Sequence, residues 1–179
     1  MFRRRLLGFL RSEGQYGRFG LGRIPTETSW GEGAYAATLC VRNQPIGLIA
    51  VGLLKNISIA PSLDFIVEIT MLRQCDCDAL AAIQHKTNSN NLEQEHFRLV
   101  HDTLIASCSS SITAFREAYV TRQPRDFKRT RVLSFLPGDV VVVEVAVKRQ
   151  QHTNHASVNP TTTWYTEYLL SRITRFREA

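Results

Sequence analysis

Apolar and polar positions are most sharply ordered in KRTRVLSFLPGDVVVVEVAVKR, residues 128–149. A short apolar run over 131–136 precedes a Leu-Pro-Gly-Asp turn, and a valine run over 140–148 follows it. β-Branched runs bounded by turn residues predict strands, and a tight turn between two of them predicts an antiparallel hairpin. One carboxylate, Glu144, interrupts the valines. A charge there is costly unless it is exposed, paired or functional.

The same pattern can be followed upstream. GAYAATLCVRNQPIGLIAVGLL reads as two strands, 35–41 and 46–54, around a turn at Asn43-Gln44-Pro45. LDFIVEITMLRQ reads as a third strand, with Phe65, Val67 and Ile69 opposite Ile66, Glu68 and Thr70. DCDALAAIQHK fits a short helix. LEQEHFRLVHDTLIAS, 92–107, fits a longer one, with Asn91 as cap, Gln94 in the first turn, and Leu92, His96, Val100 and Leu104 on one face. SITAFREAYVTRQ fits either a strand or a helix. Strands in excess of helices predict an α+β architecture with helices on one face of the sheet.

Both ends read as extensions. MFRRRLLGFLRSEGQYGRFGLGR carries six arginines and one acidic residue. Phe2, Leu6 and Leu10 share a helical face, with Arg3, Arg4, Arg5 and Arg11 mostly off it, which is the pattern of a mitochondrial presequence. A basic N-terminal arm is the alternative. At the other end, Tyr165, Leu169, Ile173 and Phe176 fall at helical spacing behind Thr161–Thr163, and Arg172, Arg175 and Arg177 crowd the last turns. That spacing predicts an amphipathic basic helix. The expected organisation is a basic extension or presequence at 1–30, a body at 31–149, and a C-terminal extension at 150–179 carrying the helix.

The totals narrow the chemistry. The chain has 179 residues, 44% of them hydrophobic, enough for one domain with a core. No apolar run reaches the length of a membrane span. Four cysteines are too few and too scattered for a disulfide scaffold of this size. A net charge of +6 suggests anionic partners. Cys75-Asp76-Cys77 is a single close pair, whereas zinc sites usually show two. His96 and His101 are five apart, and His152 and His155 lack a nearby third ligand, so neither pair fits a metal site. No phosphate-binding glycine loop, dinucleotide fingerprint or nucleophile elbow is present. No stacking platform with interleaved basic residues is visible in the body, so RNA contacts are expected from the ends.

Two stretches carry a family resemblance. Residues 129–149, with an arginine, a strand, a Leu-Pro turn and a valine strand holding a glutamate, resemble the end of the RidA/YjgF proteins, the reactive-imine deaminases once labelled L-PSP endoribonucleases. GAYAATLCV…IGLIAVGLL resembles their Gly-Pro-Tyr-Ser-Gln opening and the strand after it. The resemblance implies a RidA/chorismate-mutase-like mixed β-sheet backed by helices, a trimer with pockets between subunits, and cofactor-free hydrolysis of imines or enamines. Carried over by position, Arg129 would hold the substrate carboxylate, Glu144 would orient the hydrolytic water, and Tyr35 and Tyr119 would line the pocket. The chain also departs from that pattern. Val51 stands where the family has serine and Ala34 where it has proline. Arg116 replaces an asparagine if FREAYV is the family's second helix. The spacing from Arg129 through Pro137 to Glu144 is one residue short on each side. The middle, 55–128, can be laid on the family in two ways.

These departures, together with the basic ends, lead to the functional expectation. The chain is expected to be a catalytically eroded RidA-like protein serving as a subunit or assembly factor of a large mitochondrial particle, with the mitochondrial ribosome first among candidates. Its partners would be mitochondrial ribosomal RNA, ribosomal or assembly proteins, and a homo- or hetero-trimer with RidA-like chains. Arg3, Arg4, Arg5, Arg11, Arg172, Arg175 and Arg177 would contact the polyanion, and no cofactor or metal is expected. The alternative is an active 2-imino or enamino acid deaminase.

Overall fold

In a computed structural model of the chain, the described residues are 8, 11, 13–15, 17–59, 64–88, 102–108, 115–119, 127–129, 134–154 and 161–177. They build an α+β architecture of many strands and one long helix around a large mixed sheet. The strands are β1 Glu13–Gln15, β2 Arg18–Gly20, β3 Ser29–Trp30, β4 Leu39–Val41, β5 Gln44–Pro45, β6 Gly47–Ile59, β7 Phe65–Met71, β8 Thr103–Cys108, β9 Phe115–Tyr119, β10 Phe127–Arg129, β11 Val140–Asn154 and β12 Thr161–Arg177; the helix, α1, is Gln74–Asn88. No described helix is long and apolar enough to cross a membrane.

Five of the strands close on themselves. β6 pairs with β7, β7 with β8, β12 with β11 and β11 with β6, all antiparallel, and β8 meets β12 in one short parallel contact at Leu169 and Ser107. Closure requires strands that bend, and irregularities in the pairing of two of these ladders supply the bend. One lies between Leu54 and Asn56 on β6, the other where β11 passes from Glu144 to Val145. Where β6 crosses β7 the backbones nearly touch. A Cβ on Gly52 would meet the Thr70 carbonyl oxygen at 2.5 Å, so only glycine fits.

The ring encloses the core. Val141, Val143, Val145 and Val147 of β11 face Leu48, Ala50, Val67, Ile69, Leu104, Ala106, Leu170 and Ile173, all buried. α1 plugs one side with Cys77, Leu80 and Ile83, spaced as one helical face, and Thr87 one turn on bonds Thr166 of β12 at 2.7 Å. Outside the ring, β9 and β10 extend the sheet beyond β12, β1 and β2 extend it beyond β6, and β3–β5 form a separate small sheet.

Several expectations are met. Strand 65–71, a helix beginning near Asp76 and strands covering 47–54 and 140–148 are all present. The Leu136–Asp139 turn forms with Gly138 at φ +90°, the conformation that turn demands. FREAY is a strand, which settles that ambiguity and removes the placement of Tyr119 on a family helix.

Four expectations are corrected. The C-terminal amphipathic helix is instead the 17-residue strand β12, paired with β11 from Thr161 to Arg175, so the sheet runs across the 149/150 boundary. Residues 103–107 of the expected 92–107 helix belong to strand β8, and residues 92–101 lie outside the described residues. Among the described residues, α1 is the helix that backs the sheet. In addition, 140–146 pairs with β6 and β12 and not with the described residues 134–136, and 131–133 lie outside the described residues. Each strand has two edges, and β6 and β12 occupy both of them there. The 35–41 strand is also shorter than expected: Gly33–Tyr35 is a 3-10 turn and the strand begins at Leu39.

Candidate nucleic-acid interface

Glu144 is 7% exposed, on the outer side of β11. Its carboxylate lies 3.0 Å from Arg172 Nη1 on β12 and 3.5 Å from Arg18 Nη1 on β2. The pairing comes from the register. Arg172 is directly opposite Glu144, whereas Val145 is opposite Leu170, so Ser171 is an extra residue in β12. The Ser171 hydroxyl donates to the Glu144 carbonyl oxygen at 3.0 Å. Glu144 is thus a paired charge.

Within one chain the four residues carried over from the deaminase resemblance do not converge. Thr38 bridges to Lys148, which sets the Tyr35 turn four residues along β11 from Glu144, roughly 13 Å by strand rise. Tyr35 itself is exposed. Arg129 lies opposite Arg116, Arg116 opposite Thr174, and Thr174 opposite Val142, so about three strand spacings, or ~14 Å, separate β10 from β11. Tyr119 pairs with Arg177, near the end of β12.

The arginines expected to touch a polyanion are also sorted by the fold. Arg11 is exposed, while Arg3, Arg4 and Arg5 lie outside the described residues. Arg172 is engaged by Glu144. Arg175 is 1% exposed and is no surface contact. A strand turns Ile173 and Arg175 to the same side, and Arg175 is held there by the Ser134 carbonyl, by Asp139 Oδ2 at 3.1 Å, and by the Phe135 ring at 5.1 Å. Arg177 ends β12.

What the sequence did not reveal is an aromatic and cationic cluster at the hairpin end of β11 and β12. Arg149 on β11 lies 5.2 Å from the ring centre of Trp30 and 4.9 Å from that of Trp164. Both tryptophans of the chain therefore stack on one guanidinium. Arg149 is fixed from behind, with Nε donating to the Ala36 carbonyl at 3.1 Å and its backbone N–H to that of Ala37 at 2.9 Å. Tyr165, exposed on the opposite side of β12, donates its hydroxyl to Gln150 at 2.5 Å, which holds its ring in place. Tyr35 is exposed one residue before Ala36. Trp30, Tyr35, Arg149 and Trp164 come from three separate stretches, so sequence spacing gave no signal; the one available clue was that the tryptophans are so few.

A second feature lies beneath this cluster. An apolar cleft of about 310 Å³ opens between α1 and the segment from Leu21 to Thr28. Cys75 and Lys86 line its two ends. Cys75 is an exposed thiol and Cys77 a buried one, since neighbouring helix positions face apart. Burial pushes the thiols of Cys40, Cys77 and Cys108 up from their ordinary value, which keeps them protonated and uncharged. Among the described residues no three histidine, cysteine or carboxylate side chains gather as a metal site.

No protein-family model matches the chain, and no curated protein is significantly similar to it.

Proposed function

We propose that this chain is a non-catalytic, RNA-binding subunit or assembly factor of a large mitochondrial particle, with the mitochondrial ribosome as the first candidate. The observation that carries this reading is the Arg149 cluster: two tryptophans on one arginine, with exposed tyrosines nearby, at the hairpin end of a closed five-stranded ring. Aromatic faces interleaved with cations are what unpaired bases stack on. A small five-stranded, partly open barrel is also the architecture of oligonucleotide-binding OB folds, which use their hairpin loops as binding edges. The net charge of +6 favours a polyanion. The arginine-rich start favours import into mitochondria and offers further phosphate contacts.

Imine hydrolysis of the RidA type finds less support. Glu144 is neutralised by two arginines, and the other three carried-over residues are spread over the molecule. The resemblance to that family rests on two sequence stretches alone.

Sedimentation of the tagged protein from mitochondrial lysate tests the proposal. Co-migration with a ribosomal subunit that is lost after ribonuclease treatment is the expected result. A free trimer that releases ammonia from a 2-imino acid would replace this reading with the deaminase.

A further inference from the structure

The cleft between α1 and residues 21–28 is braced at both ends yet left unfilled between them. At one end Asp76, fully buried, accepts the Gly22 backbone N–H at 2.9 Å and the Arg73 Nε at 2.8 Å. Contact is so close that a Cβ on Gly22 would meet the Cys75 sulfur at 2.8 Å. At the other end Lys86 Nζ donates to the Thr28 carbonyl, and Trp30 Nε1 donates to the Lys86 carbonyl at 3.4 Å. Between these braces α1 presents Ala79, Ala82 and Ile83, facing Leu21, Ile24 and Pro25. Protein interiors close such gaps with their own side chains, because an apolar wall without neighbours forfeits dispersion energy. Here the braces hold the walls apart. The volume and the mostly apolar lining fall in the range of small-molecule sites.

Polarity along the cleft is one-sided. Lys86 is the one charged side chain among the described residues that line it; Thr26 and Thr28 also line it, the Thr28 hydroxyl donating to the Pro25 carbonyl at 2.7 Å. We infer that the cleft is a ligand site for a medium-chain monocarboxylate, with the acyl tail over Ala79 and Ala82 and the carboxylate at Lys86. The cleft meets the aromatic cluster at Trp30, and its ligand does not depend on the RNA-binding proposal.

Decanoate, below its micelle concentration, is the probe, with decanol as its uncharged counterpart. Calorimetric titration of the full chain is expected to give saturable binding at one site. Cys75 is the exposed thiol among the four cysteines and lines the cleft, so iodoacetamide should label it several-fold more slowly when decanoate is present. This readout needs no variant. Ala82 is exposed, so Ala82→Trp should fill the cleft without disturbing the core and should weaken decanoate and decanol alike by at least about tenfold. Lys86→Gln should weaken decanoate by about threefold to tenfold while leaving decanol unchanged. Absence of saturable binding, or of any slowing of Cys75 labelling, overturns the proposal. Binding that Ala82→Trp leaves intact, with the circular dichroism of the folded protein preserved, overturns it as well. Equal loss of decanoate and decanol in Lys86→Gln would overturn the assignment of the carboxylate end.

Discussion

Glu144 is held by Arg172 at 3.0 Å and Arg18 at 3.5 Å, and the two contacts are not equivalent. Arg172 is the closer and the less exposed of the two, with 31% of its side chain accessible against 43% for Arg18. Removing Arg172 would leave a mostly buried carboxylate with its weaker partner. Arg172→Met should cost about 1–3 kcal/mol in urea unfolding, and Arg18→Met clearly less. The double change Glu144→Val with Arg172→Met should recover most of the loss, because nothing charged then remains buried. A carboxylate kept for catalysis behaves differently: its removal commonly stabilises the protein. A clear gain in stability for Glu144→Gln would therefore count against the paired-charge account. Tyr168 gives a second residue-level prediction. Its hydroxyl is buried with no hydrogen-bond partner among the described residues, and burial pushes its pKa well above the usual 10. Above about pH 10 the unfolded chain loses that proton while the folded chain keeps it, so stability falls as pH rises. Tyr168→Phe should flatten this alkaline decline. At neutral pH it should be neutral or stabilising by up to about 1 kcal/mol, since the unsatisfied hydroxyl is gone.

At the scale of elements, the sequence was legible where periodicity was undisturbed. β7 alternates cleanly, α1 buries one face, and the Pro137-Gly138 turn carries its own geometry. β12 was illegible for a physical reason. The extra residue Ser171 shifts the alternation by one, so the positions that face the core with the β11 valines run Tyr168, Leu170, Ile173, Arg175 rather than by twos. That broken period imitates helical spacing. The cue that outweighs it is composition: Thr161 to Thr166 holds only threonines and aromatics, residues that favour strands. β8 was obscured differently, because Leu104 extended a helical face begun at Leu92. Glu144 was conspicuous in the sequence, but its partners depend on strand register and could not be read there. The reassignment of β12 changes what truncation should do. A detachable helix could be removed, but β12 supplies Ile173, fully buried, and fills one edge of β11 along nearly its whole length. Deleting 161–179 should therefore abolish cooperative unfolding and two-state thermal melting. Ile173→Ala alone should cost about 2–4 kcal/mol. A truncated chain that melts cooperatively would mean that β12 is peripheral after all.

For the molecule as a whole, the proposed RNA binding divides between charge and stacking. Arginines at the start of the chain would act through phosphates, whose neutralisation releases counterions. Each contact to a single strand steepens the dependence of log affinity on log salt by about 0.7. Replacing Arg3, Arg4, Arg5 and Arg11 together with glutamine should weaken binding to an unstructured RNA and flatten that slope by up to about 3. The Arg149 cluster should respond otherwise. Trp164→Ala removes a stacking face, and each stacked base is worth about 1–3 kcal/mol. Its effect should be a loss of roughly fivefold to hundredfold at every salt concentration, with the slope nearly unchanged. Tyr165→Ala tests whether the opposite face of β12 contributes; little effect there would confine the interface to the Trp30 and Arg149 side. Filter binding of a labelled single strand between low and physiological salt, with a duplex of equal length as competitor, distinguishes these outcomes. Duplex competing as well as single strand would mean that phosphate attraction alone accounts for binding, and the aromatic cluster would then be only a brace between β3, β11 and β12.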